Sequence, residues 1–240
     1  MVFWRQRLWV VASFHSSIVA FMKNGQVDDS KTIRLAQTDW CWGLAVNKED
    51  RLLVTASPPY DFQRTLPAAN SFVNKKGHLF ECDFIPGGSP AILPVAQGLT
   101  RPGGLDIAPK THPAYPGDVF LTEYGNDRHK AGRVLRLTRP QNAPIGTPYE
   151  KHIFIDLADI LHKTNIKPPP DTGEEEQKKD ERRDPGLVHP WALCFSPSGD
   201  DLFVSTDPND SQVLRFDSRG HFLDRISFDG SETPNSLCCA

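Results

Sequence analysis

Carboxylate, amide, histidine and arginine side chains gather at two recurrent kinds of place along this chain. One group trails short apolar runs: His15 behind the first, Glu123, Asn126, Asp127, Arg128 and His129 behind another, and Asp207, Asn209 and Asp210 behind the last. A second group leads into apolar runs of a different kind: Asp39, Arg101 and His189. Oxygen donors arriving from several segments could hold Ca²⁺, whose about six to eight oxygen ligands tolerate irregular geometry. A neutral histidine could accept a proton near neutral pH. Asp and Asn behind an apolar run are also ordinary turn formers. Each residue therefore carries two readings, ligand contact or turn.

Other chemistries are excluded by motif. The chain has no Gly-x-x-x-x-Gly-Lys-Ser/Thr phosphate loop, no Gly-x-Ser-x-Gly nucleophile elbow and no His-Glu-x-x-His zinc helix. Its five cysteines, Cys41, Cys82, Cys194, Cys238 and Cys239, form no Cys-x-x-Cys pair. That spacing supports neither a zinc site nor a dense disulfide framework. The first three lie in apolar strand patterns and read as buried thiols. The last two close a polar tail and read as exposed, oxidisable thiols.

Composition sets the class. Of 240 residues, 38% are hydrophobic and 24% charged, with a net charge of -3, which describes a soluble globular chain. That balance, without a basic stripe interleaved with aromatics, excludes a nucleic-acid binder. No apolar run reaches the roughly 18 residues of a membrane-spanning helix. Arg5 and Arg7 precede Leu8–Ala12 much as in a signal peptide, but Ser13, His15, Ser16 and Ser17 break the apolar stretch early. No convincing signal peptide is present, and the compartment stays open.

The elements that must position these residues repeat. Trp42–Val46, Gly103–Ile107 and Trp191–Phe195 share a bulky-or-Gly, small, Leu, x, apolar pattern. About a dozen residues later come Leu52–Thr55, Val119–Thr122 and Leu202–Ser205, with Leu8–Val11 as a fourth copy. Alternating third runs follow at Ile18–Phe21, His78–Glu81, Val134–Leu137 and Val213–Phe216, where Arg136 and Arg215 point opposite to their apolar neighbours. Outer runs lie at Thr32–Leu35, Ile92–Ala96, His152–Leu157 and Phe222–Phe228. Four short antiparallel strands at a period of about 40–50 residues describe an all-β propeller with about four blades. The blades span approximately 6–36, 40–97, 101–158 and 188–229 in one domain covering 1–240. Trp42 and Trp191 read as packing residues of the blades. Residues 58–76 form a loop insertion, and 163–187, with its proline run and mixed charges, a mobile solvated loop.

His189–Leu193, Leu202–Asp207 and Gln212–Gly220 together resemble an NHL repeat. They are equally similar to units of the wider six-bladed group that includes SMP-30/gluconolactonase and TolB-like propellers. The resemblance spans nearly the whole chain in outline and implies a fold superfamily rather than one activity. What it implies first is a scaffold that binds a small molecule or a protein over the central channel. The alternative is an enzyme of the same fold.

SMP-30-like lactonases place metal-binding Asn and Asp at the starts of inner strands and just after second strands. Here Trp191 stands where an Asn would follow His189-Pro190, Asp207 lies one position late, and Glu123 is in register. Glu123 and Asp207 are the metal candidates the resemblance implies, with Ca²⁺ the ion. His112–Asn126, with Gln97–Leu105 before it and Gly132–Arg136 after it, resembles glucose/sorbosone dehydrogenase propellers, which use the quinone PQQ. No histidine here matches that family's base, so no catalytic residue is assigned.

The first blade begins at its second strand on this reading, because Val2-Phe3-Trp4 is short for an inner strand. The resembled families usually have six blades. The arc is then a piece of a longer ring, a compact ring of fewer blades, or a chain that self-associates through an unpaired blade edge.

Overall fold

The computed structural model describes residues 1–35, 40–57, 76–84, 90–125, 132–164, 188–206 and 212–227. They form four antiparallel sheets of four strands, each a meander in chain order, arranged as a four-bladed β-propeller. The first contains β1 (Val2–Trp4), β2 (Arg7–Ala12), β3 (Ser17–Phe21) and β4 (Ile33–Arg34). The second contains β5 (Trp40–Val46), β6 (Leu52–Ser57), β7 (Gly77–Phe84) and β8 (Pro90–Leu99). The third contains β9 (Pro102–Ile107), β10 (Val119–Glu123), β11 (Arg133–Thr138) and β12 (Glu150–Asp156). The fourth contains β13 (Pro190–Phe195), β14 (Asp201–Thr206), β15 (Gln212–Asp217) and β16 (Phe222–Ser227). One helix, α1 (Leu157–Thr164), follows β12 where the sequence suggested only a strand end. The expected loops at 58–76 and 163–187 lie almost wholly outside the described residues, as do Cys238 and Cys239.

One expectation is corrected. The first sheet does have an inner strand: β1 pairs with β2, setting Phe3 opposite Leu8. Three residues are short for a strand, and two tryptophans supply the anchorage. Trp9 donates through Nε1 to the Trp4 carbonyl, and Trp4 donates through Nε1 to Asp50 in the turn joining β5 and β6. Both indoles are buried.

The sheets bury apolar rows face to face. Trp9, Ile18, Leu52 and Val54 belong to the core between the first and second sheets. Leu53, Leu79, Val119 and Leu121 belong to that between the second and third. Phe120, Val134, Leu202 and Phe216 belong to that between the third and fourth. The second strands of the second and third sheets alternate between two neighbouring sheets, so the continuous runs Leu52–Thr55 and Val119–Thr122 are apolar on both faces for a reason. Cys41, Cys82 and Cys194 are buried thiols, as expected.

Hydroxyls at the ends of the second runs tie the inner strands together. Thr55 accepts the Gly43 N–H at 2.7 Å and donates to the Gly103 carbonyl of the next sheet. Thr122 repeats the link, donating to the Trp191 carbonyl at 3.2 Å. Ser205 accepts the Ala192 N–H within its own sheet at 3.0 Å. These contacts sit where the inner strands β5, β9 and β13 are irregular in register. A Cβ added at Gly103 would stand 2.6 Å from the Trp191 carbonyl oxygen, so glycine permits the close approach.

Candidate ligand site in the channel

The inner strands enclose a cavity of about 420 Å³, lined from β5, β9 and β13 with Met1 and Val2 at one side. That volume lies within the usual range for small-molecule sites. Its chemistry comes from a few side chains at the strand starts.

Aromatic rings line one part of it. Trp42 and Trp191 meet edge to face with centroids 5.3 Å apart, and Tyr124 meets Trp191 in the same way at 6.0 Å. Both indoles are only half-buried. The packing role expected for them is therefore incomplete, because each also presents surface to the cavity. Trp42 donates through Nε1 to the Ser57 hydroxyl at 2.9 Å, which fixes its orientation.

Two of the residues singled out from sequence converge on Tyr124. His189 stacks on its ring at 4.4 Å and 9°, and His189 Nδ1 lies 2.6 Å from the Tyr124 carbonyl oxygen. A carbonyl only accepts, so the proton sits on Nδ1. The Arg101 guanidinium lies 5.9 Å from the same ring, within cation–π reach. Arg101 has a φ of 48°, a left-handed turn, and its carbonyl accepts the Tyr124 N–H at 3.1 Å. Arg101 leads into β9 and His189 into β13, so residues from two sheets meet at Tyr124; Arg101 and Tyr124 line the cavity, and His189 stands behind the Tyr124 ring without lining it.

Glu123 behaves differently. It is 2% exposed, accepts the Thr100 N–H at 2.7 Å and pairs through its other oxygen with Arg133 Nε. Both oxygens thus hold the start of the third sheet to its own third strand. Among the described residues, no group of three or more His, Cys, Asp or Glu side chains is placed to hold a metal ion. His15 ends a short 3-10 turn, is exposed, and does not line the cavity. Asp39, Asn126, Asp127, Arg128, His129, Asp207, Asn209 and Asp210 lie outside the described residues.

Asp106 was missed by sequence reasoning. It lines the cavity from β9 and accepts the Phe195 N–H of β13 at 2.9 Å and the Ile107 N–H at 2.8 Å. Burial pushes its pKa up, against the lowering effect of those two N–H groups. A signal did exist: Asp106 fills the x position of the repeated inner-strand pattern, where the other copies carry Ala45 and Cys194. Tyr124 was also passed over, because an aromatic behind a strand is commonplace.

No protein-family model and no curated protein matches the chain. Solved structures do. The chain is similar to a luciferin-regenerating enzyme with a TM-score of 0.55 and 9% identity, over 97% of this chain and 62% of that one. It is also similar to the β-propeller domain of Myceliophteria thermophila Cps50 (Swd1), with a TM-score of 0.49 and 12% identity over 99% of this chain and 57% of that one. A putative 6-phosphogluconolactonase from Bacteroides uniformis gives 0.49 and 13% identity over 97% and 58%. This chain thus spans less than two thirds of each of these structures. At 9% identity the likeness to the luciferin-regenerating enzyme shows a shared fold, not a shared activity.

No helix among the described residues is long and apolar enough to cross a membrane.

Proposed function

We propose that this chain is a ligand-binding β-propeller of the NHL/SMP-30-like kind, and that its channel mouth takes a small molecule carrying a flat or cyclic face. One observation carries the reading: half-buried Trp42, Trp191 and Tyr124 share a cavity of about 420 Å³ with Arg101. Aromatic walls offer stacking area at small conformational cost, and one cationic group supplies orientation. A protein loop seated over the same mouth would meet the same side chains.

Intrinsic fluorescence tests the reading directly, because two indoles stand in the proposed site. The chain is titrated with an aldonolactone, an aldose, PQQ and Ca²⁺, followed by a broader panel of small cyclic compounds. A saturable change that disappears in Trp191→Ala, with the melting curve preserved, is expected. A panel without any saturable response would overturn the reading. So would responses that survive both Trp191→Ala and Arg101→Gln.

An enzyme of the same fold is the second reading, favoured by Asp106. Its half-buried carboxyl has its pKa pushed up in the channel wall, as a proton-handling group requires. A lactonase would hydrolyse the aldonolactone in a Ca²⁺-supplemented pH-stat, and a quinone-dependent dehydrogenase would bleach an electron-accepting dye with an aldose. Activity lost in Asp106→Asn supports this reading, and binding without turnover leaves the scaffold.

A further inference from the structure

The strand registers assign equivalent positions in all four sheets. Phe3, Leu8 and Phe21 lie side by side across β1, β2 and β3. The same row reads Val46, Leu52, Cys82 in the second sheet, Ile107, Val119, Leu137 in the third and Phe195, Leu202, Phe216 in the fourth. Leu52, Val119 and Leu202, at the centres of those rows, are at most 1% exposed, each covered by the sheet before it. In the first sheet Leu8 is 38% exposed and Phe3 71%. An apolar row built for burial therefore faces outward there, with Val10 and Val19 paired beside it.

What covers the row elsewhere is always one kind of surface, the second-strand face of the preceding sheet. In the third sheet it consists of Phe120 opposite Arg136, with Arg136 paired to Asp118 at 3.7 Å. The fourth sheet repeats it: Phe203 stands opposite Arg215, and Arg215 pairs with Asp201 at 3.1 Å. Phe120 is fully buried against the fourth sheet, whereas Phe203 is only half-buried. The Arg–Asp pair is no obstacle to docking, since the third sheet carries its own copy, half-buried, on the face that packs against the fourth. Among the described residues, the first and fourth sheets share no core cluster.

We infer that copies of this chain associate head to tail, the Phe203 face of one fourth sheet covering the Phe3–Leu8 face of another copy's first sheet. The contact continues the interface already repeated three times within the chain. Being heterologous, it closes into a ring if the rotation allows and otherwise extends. It uses a sheet face rather than the strand edge expected from sequence. It is independent of what the channel binds.

Sedimentation of the whole chain over a wide concentration range tests it, with Phe3→Glu on one face and Phe203→Glu on the other. The wild type should reach twice the single-chain mass or more as concentration rises, and each variant should stay at the single-chain mass. An equal mixture of the two variants should recover a two-copy species and nothing larger, because each retains the face its partner lost. Ile226→Glu, at an exposed position on the fourth-sheet face opposite Val213, serves if Phe203→Glu melts early. The inference fails if the wild type remains at single-chain mass throughout. It also fails if either single variant associates like the wild type, or if the mixture does not recover pairing.

Discussion

Arg139, just beyond β11, donates through Nη2 to the carboxylate of Glu81 on β7, and neither side chain is more than 1% exposed. The pair crosses the boundary between the second and third sheets. Arg139 also reaches Glu49 at 3.0 Å and lies 4.4 Å from the Tyr149 ring. Glu81 further accepts the Gly146 N–H at 2.9 Å. A buried pair of this kind contributes little over an apolar replacement, but breaking it strands a charge. Arg139→Met should therefore destabilise the chain by about 3–5 kcal/mol, read as a lowered denaturant midpoint. Adding Glu81→Gln to Arg139→Met should recover part of that loss.

The same network sets an acid limit. Burial alone would raise the Glu81 pKa, but the Arg139 guanidinium, the Gly146 N–H and the Arg51 charge outweigh it and hold the carboxyl below its usual 4.5. A depressed folded-state pKa stabilises the fold above the unfolded value, and that stability is lost as pH falls through the folded one. Denaturant melts below about pH 4.5 should show stability dropping with pH, and Glu81→Gln should flatten that slope. An equal slope in the variant would assign the acid limit to other carboxylates.

Thr122 and Gly103 together govern how closely the third and fourth sheets approach. Thr122→Val removes the donor to the Trp191 carbonyl and leaves a buried acceptor without that partner, a cost of about 1–3 kcal/mol. Gly103→Ala forces a Cβ to within 2.6 Å of that carbonyl oxygen and 2.7 Å of the Thr122 hydroxyl. Neither contact is relieved by rotating a flexible tip, so overpacking of about 1–3 kcal/mol is expected. Because Trp191 lines the cavity, both variants should also shift its fluorescence. An unshifted spectrum with normal stability would remove these residues from the site's support.

The sheets were legible in the sequence because their second and third strands carry complete apolar rows, as in Leu52–Thr55 and Val213–Phe216. β1 was not legible: three residues show no period, and its anchorage comes from Trp9 donating to the Trp4 carbonyl across a turn. Arg101 and His189 could be singled out because they lead into the repeated inner strands. Their convergence on Tyr124 could not be read, since it depends on the left-handed turn at Arg101 and the spacing of two sheets. Asp106 resembled any polar residue alternating along a strand. Only the inner-strand register shows that its carboxylate reaches the Phe195 N–H. The Glu81–Arg139 pair spans 58 residues and leaves no local pattern at all.

His112 supplies a second pH dependence, of opposite chemistry. It is 3% exposed, lies edge to face with Phe195 at 5.3 Å and packs on Phe120. Its Nδ1 accepts the N–H groups of Ala114 and Tyr115 at 3.2 and 3.0 Å, so the ring proton must sit on Nε2. Burial lowers its pKa from 6.5, with Asp118 and Asp200 opposing the shift through their charges. Protonating Nδ1 would abolish both acceptances and place a cation among aromatic rings. The unfolded chain takes up a proton near pH 6.5 while the folded chain resists until lower pH, so stability declines as pH falls below that value. Asn at this position keeps an acceptor for the turn and cannot titrate. His112→Asn should therefore lose some stability at neutral pH, through lost ring packing, yet show a flatter profile between about pH 6.5 and the onset of carboxylate protonation. Denaturant midpoints of the two proteins across that window decide the matter, and parallel profiles would mean that His112 is already solvated in the fold.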